Sequence, residues 1–159
     1  MTIYLDIKTT GLRHSDSDSM VEIAIVNDDR EVLIDTLIDP EISIPWYSTK
    51  IHGITDAMVK GRPTLNEIMP TIIDIISNQE TVIYNADLYL NFFPSNLSEA
   101  KKIECAMHFF NSITEIQGSR NLNFAASCAD HIWEGDVRRA LAGALACRSV
   151  WLWLHTDTA

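Results

Sequence analysis

Residues 2–6 form a short apolar run of strand-formers, which predicts a first β-strand. A polar loop containing the serine–aspartate run at 15–19 follows. Val21, Ile23 and Ile25 then alternate with Glu22 and Ala24, the two-residue period of a second strand. A polar turn at 27–30 leads into a third strand at 31–38, so the pair reads as a hairpin. The stretch 40–45, bounded by prolines, is extended, and short helices fall around 47–53 and 56–60. Thr64 and Glu67 have the spacing of a capping box, in which each side chain satisfies a backbone N–H that the helix leaves unpaired. Leu65, Ile68, Met69, Ile72, Ile73 and Ile76 recur behind it at helical spacing. A fourth strand at 81–84, a turn or helix at 87–93 and a fifth strand at 102–105 come next. A short helix, a loop with Gly118, a helix at 123–131 and a last helix at 137–154 complete the pattern. The acidic stretch Glu134-Gly135-Asp136 suits the start of that last helix, where carboxylates meet the positive end of the helix dipole. Strands alternating with helices predict an α/β domain, a mixed sheet with helices on both faces.

Composition bounds the reading. At 159 residues, 47% hydrophobic and 21% charged, residues 1–159 make one domain with a sizeable core. The formal net charge is -10. That argues against a broad nucleic-acid groove, which needs a basic face, although a small basic groove can sit on an acidic body. It suits an acidic surface that meets a basic protein. Cys105, Cys128 and Cys147 are odd in number and match no zinc spacing, so they read as reduced thiols of a cytoplasmic protein. The first residues read as a strand rather than a signal peptide, and no apolar run has the length of a membrane span.

Four segments carry chemistry. Asp6-Ile7-Lys8-Thr9-Thr10-Gly11-Leu12 differs only at Lys8 from Asp-x-Glu-Thr-Thr-Gly-Leu, the first motif of DnaQ-like (DEDDh) 3′→5′ exonucleases. Residues 51–59, beginning Ile51-His52-Gly53-Ile54-Thr55, resemble that family's Ile-His-Gly-Ile-Thr segment. Asn85-Ala86-Asp87-Leu88-Tyr89 is similar to the second motif, and Arg138-Arg139-Ala140-Leu141 through Gly143 to the third. The likeness runs in family order, nearest to the bacterial exonuclease X branch. It implies a ribonuclease H-like fold, a five-stranded mixed sheet with Asp6 at its centre. It also implies a terminal-nucleotide pocket at Thr9, Thr10, Gly11, Leu12, His52 and Asn85.

Such enzymes hold two magnesium ions with four carboxylates, and a histidine takes the proton from the attacking water. Carried over residue by residue, the first acid is Asp6 and the second position is Lys8. The acid of the second motif is Tyr89, the histidine is Arg138 and the last acid is Gly143. Residues 6 and 8 of one strand point to the same side, which predicts an Asp6–Lys8 ion pair. Opposed unit charges 4 Å apart attract by about 4 kcal/mol at an effective dielectric near 20, and the same ammonium repels a divalent cation. Arg138 stays protonated and cannot act as a base.

The reading is therefore a catalytically inactive pseudo-exonuclease, without metal or other cofactor, that works as a binding module. The expected partner is a protein, a second copy of the chain included, with weak or no general nucleic-acid binding and no membrane. Lys8 and Arg138 could take over the cationic role of the metals and hold a phosphate. The rival is an active enzyme that binds Mg or Mn through displaced acids, Asp6, Asp87 and one acid from 130–136. Tyr89 should fill the emptied pocket, its hydroxyl reaching Asp6. Glu22 reads as structural. Trp151-Leu152-Trp153-Leu154 packs partly in the core and offers aromatic anchors for a partner.

Overall fold

The computed structural model describes residues 1–12, 17–115 and 120–156; Gly118 and residues 15 and 16 of the serine–aspartate run lie outside that set. The strands are β1 (Thr2–Thr9), β2 (Met20–Asn27), β3 (Val32–Leu37), β4 (Glu80–Ile83) and β5 (Lys102–Cys105). They form one sheet in the order β3-β2-β1-β4-β5. β1 pairs antiparallel with β2 and parallel with β4, and β4 pairs parallel with β5. The expected mixed, five-stranded architecture is present, with Asp6 on the central strand.

The helices are α1 (Trp46–His52), α2 (Asp56–Val59), α3 (Leu65–Ile76), α4 (Ala86–Tyr89), α5 (Ala106–Thr114), α6 (Leu122–Cys128) and α7 (Ala140–Thr156). The alternation along β1 sorts them. Ile3, Leu5 and Ile7 join the core beneath α3, with Ile23, Ile25, Ile72 and Ile76. Tyr4 joins the opposite core with Phe110, Ala144, Cys147 and Val150, and Asp6 and Lys8 share its face. Each fully buried isoleucine contributes about 1.5–3 kcal/mol. The exposed Arg30–Glu134 pair contributes about 0–1 kcal/mol, so packing holds the sheet. The capping box starts α3 as expected: Glu67 N donates to Thr64 Oγ1 at 3.3 Å and Thr64 N to Glu67 Oε2 at 2.7 Å.

α7 lies close on the sheet because its buried side is small. Ala140, Gly143, Ala144 and Cys147 recur at helical spacing against β1 and β2. The helix begins three residues later than its pattern predicts, and Arg138 therefore sits in the preceding turn. A tertiary contact sets that start. Buried Glu22, from β2, accepts Ala140 N at 2.9 Å on one oxygen and Arg139 Nε at 2.9 Å on the other. The acidic stretch instead turns on itself: Asp136 Oδ1 accepts Arg138 N at 3.0 Å.

The C-terminal aromatic run also differs from expectation. α7 stays helical through Thr156. Trp151 and Leu154 are buried, and Trp153 packs beside Phe110 with ring centroids 6.1 Å apart. Leu152 alone of the four is exposed. The run closes the core because α5 presents Phe109 and Phe110 to it, which spends Trp151 on packing and leaves Trp153 half-buried.

Removing one member of a buried charge pair strands the other. Glu22→Ala should therefore cost about 3 kcal/mol, read as a lower urea midpoint at unchanged slope. Glu22→Gln should cost less, because the amide oxygen still accepts Ala140 N. Equal stability of all three proteins would refute this role for Glu22.

Candidate functional site

The strand β1 ends in a loop that is locked from below. Thr10 is fully buried; its hydroxyl donates to Asp18 at 2.9 Å and accepts Ser19 N at 3.0 Å. Ser48, on α1, donates to the Thr10 carbonyl. His52 is buried, and its Nδ1 accepts Ile54 N at 3.1 Å. The proton is thus on Nε2, which donates to the Thr9 carbonyl at 3.0 Å. Burial holds its pKa below the usual histidine value, with the Thr9 carbonyl opposing. His52 and Thr10 fasten the loop to α1, so the Thr10 hydroxyl and both His52 ring nitrogens are engaged within the protein, while the His52 ring still borders a cavity.

Above the loop lies a cleft with two lobes. Thr9, Gly11, Leu12 and one wall of His52 line a lobe of about 710 Å³. Asn85 lines the other, of about 560 Å³, together with Asp6, Arg138 and Gly143. Lys8, Ile51 and Tyr89 border both lobes. The residues of the sequence-derived pocket are thus shared out between two lobes that have Lys8, Ile51 and Tyr89 in common. Leu12, Tyr47 and Ile51 leave an exposed apolar rim on the first lobe, of which the residue pattern had marked only Leu12.

The five positions that match the family's catalytic residues, Asp6, Lys8, Tyr89, Arg138 and Gly143, all line the Asn85 lobe. Lys8 Nζ lies 2.9 Å from Asp6 Oδ2. Burial pushes the Asp6 carboxyl up, and the Lys8 ammonium pulls it back. Tyr89 fills space as expected, but its hydroxyl makes no hydrogen bond to Asp6 among those of the described residues. Its ionisation is pushed well above the tyrosine range by burial and by the Asp6 charge. Gly143 lets the carboxylate sit where it does: a Cβ there would overlap Asp6 Oδ2 and lie 2.7 Å from Cγ.

Arg138 stands at the mouth. Its Nε and Nη2 donate to Asp136 at 3.0 and 2.8 Å, and that guanidinium holds Asp136 down to about 2. The guanidinium also lies over Gly53, where a Cβ would come within 3.0 Å of Nη2. Gly53 has φ +77°, the left-handed region that only glycine enters freely.

The donor set does not fit a divalent ion. One carboxylate faces an ammonium, beside a phenol, a guanidinium and a glycine, where Mg²⁺ needs several oxygen ligands. The displaced acids do not converge either. Asp87 pairs with His108 at 2.9 Å on a separate cavity beside Cys105. Glu134 binds Arg30, and His131 Nδ1 is 2.8 Å from Ser149 Oγ. Among the described residues no three His, Cys, Asp or Glu side chains are grouped to hold a metal. No helix among them is long and apolar enough to cross a membrane.

Comparison with known proteins agrees with this fold. The chain is 39% identical over 85 residues to uncharacterized exonuclease CP81 of Escherichia phage 186, covering 54% of this chain and 43% of that protein. It is 29% identical over 125 residues to the DNA polymerase III subunit epsilon of Rickettsia felis, covering 76% of this chain and 55% of the subunit. It thus spans about half the length of these two curated relatives. A solved structure of exonuclease X in complex with 5′ overhanging duplex DNA superposes with a TM-score of 0.77 at 20% identity, over 99% of this chain and 93% of that one. The sequence model of a family described as exonuclease matches residues 3–130; α7, with Gly143, lies beyond the match. With that match covering most of its length, and the five-stranded sheet of the solved neighbours, the chain belongs to the DnaQ-like exonuclease family.

Proposed function

We propose that this chain is a pseudo-exonuclease, an exonuclease fold that has given up hydrolysis and works by binding. One observation carries the reading: the ammonium of Lys8, 2.9 Å from the remaining carboxylate, occupies the place of a metal ligand. A positive charge there opposes a divalent cation on the scale of several kcal/mol. Without the ion, nothing in the site generates hydroxide, and Arg138 cannot replace the base. The rival reading, an active enzyme with displaced acids, draws no support, since Asp87 and Glu134 are engaged elsewhere.

The acidic body favours a protein as the main partner, a second copy of the chain among the candidates. A net charge of -10 repels a long duplex and steers a basic protein surface inward. The relative named as a polymerase subunit works, by that name, beside other chains. This points the same way.

Labelled single- and double-stranded DNA and RNA should remain full length when incubated with the protein and Mg²⁺ or Mn²⁺. Shortening that needs metal and vanishes in Asp6→Ala would show that the site is active.

The packing of Asp6 against Gly143 gives a second test. Gly143→Ala should cost about 2 kcal/mol, the usual scale for overpacking a buried site. In an Asp6→Ala background the cost should fall to less than half, read by a double-mutant cycle. Restoring Lys8→Glu, Tyr89→Asp, Arg138→His and Gly143→Asp together should bring back Mn²⁺ binding by calorimetry, whereas Gly143→Asp alone should only destabilise. If that single change is neutral and binds Mn²⁺, the site is not closed in the way described.

A further inference from the structure

Another cavity lies at the β5 edge of the sheet and shares no lining residue with either lobe of the cleft. It encloses about 680 Å³, a ligand-sized volume. Strands β4 and β5 supply charged groups to it. Glu80 lies opposite Lys102 in their ladder, and Glu104 follows Lys102 on the same face. Lys102 forms an ion pair with Glu104. Asp87, from α4, pairs with His108 of α5 at 2.9 Å. With the histidines counted as neutral, three carboxylates and one ammonium face this cavity. Another part of the lining is aromatic. Phe109 of α5 packs with Trp151 and His155 of α7, and the three ring-to-ring distances are 5.3, 5.0 and 4.7 Å. His155 Nδ1 donates to the Trp151 carbonyl at 2.8 Å, which holds the imidazole beside the other two rings.

These acids are not arranged for a metal ion, since among the described residues no three His, Cys, Asp or Glu side chains are grouped to hold one. They come from three separate elements around a ring-lined hollow, an arrangement that suits an organic cation with several spaced donors. A guanidinium has five N–H groups in a planar fork, pairs with carboxylates through two parallel bonds and stacks on aromatic rings. An ammonium is a more strongly hydrated point charge and gains less from the rings. We infer that this cavity docks an arginine side chain of a basic partner protein. The inference rests on the reading of a basic protein as the partner, and it names the surface and the side chain. The acidic body brings such a partner near, and the cavity gives one arginine a place to leave water, the usual setting of an interface anchor.

The test is fluorescence anisotropy of the full chain with a short dye-labelled peptide of alternating arginine and glycine. Saturable binding that weakens as salt rises is expected. Glu80→Gln/Glu104→Gln should weaken it about tenfold or more, the effect of losing an interface anchor. Glu41→Gln/Asp74→Asn removes the same charge from exposed acids outside the cavity and should change it less than about twofold. Phe109→Leu keeps an apolar side chain against Trp151 but removes a ring, and should weaken binding roughly threefold. Circular dichroism shows whether that variant is folded; the glutamine pair, on half-buried strand positions, tests the site without it. The same peptide with lysine for arginine should bind roughly threefold more weakly. An equal loss in both double variants, or a loss in neither, would show that only the overall charge is read; the cavity then falls and the basic partner stands. Equal binding of the lysine peptide, or full binding by folded Phe109→Leu, would overturn the arginine assignment. Binding of neither peptide would remove the cavity and the basic-partner reading together.

Discussion

A carboxylate buried beneath a helix must find a positive charge, and in this chain it finds Lys8. Asp6 is 4% exposed on the central strand, under the glycine of α7. An unpaired carboxylate there would carry a desolvation penalty of several kcal/mol. The adjacent ladder position repeats the problem, since Lys8 lies opposite Glu22 across the β1–β2 pair. Glu22, on the same face, takes Arg139 and the first N–H of α7. The face of the sheet beneath α7 is thus a row of compensated charges, and the seat of α7 depends on it.

That row changes what substitutions mean. Gly143 and Lys8 are not separate losses. The ammonium holds Asp6, and the missing side chain at 143 gives the carboxylate its room. An acid restored at 143 would meet Asp6 before it met any metal. An acid restored at 8 would leave Asp6 facing a second negative charge, with no cation beneath α7. Either step alone is therefore unfavourable, and the two substitutions are expected to be non-additive because both act on Asp6.

Much of this was legible in the residues. The strands alternate cleanly, and the spacing of residues 6 and 8 alone placed the ion pair, because a strand offers few alternatives. The capping box at Thr64 and Glu67 was readable for the same reason, being wholly local. What sequence missed was tertiary. The acidic run before α7 resembles a helix start, yet the carboxylate that takes the Ala140 N–H comes from β2, 118 positions away. Which of Trp151 and Trp153 packs in the core and which is left for a partner could not be read until α5 is seen beside them. Thr10 and His52 belong to a motif that lines a pocket, but hydrogen bonds spend their polar groups inside the loop. No spacing rule carries that information.

The charge map follows from the same physics. Counting acids and bases along the chain yields -10 and predicts an aversion to polyanions. Such a count treats the surface as uniform, and it is not. Once the sheet has brought Lys8 up from β1, and the segments before α6 and α7 have brought Arg120 and Arg138 to the same hollow beside Asp6, the charges there no longer follow the sum along the chain. Salt screens the outer acids within about 10 Å at ordinary ionic strength, so a small anion inside the lobe feels mainly its lining. A long duplex would also lie against the body and meet the acids there. The net charge of the chain therefore describes what a long polymer would meet, whereas the lining describes what a small group inside the lobe would meet.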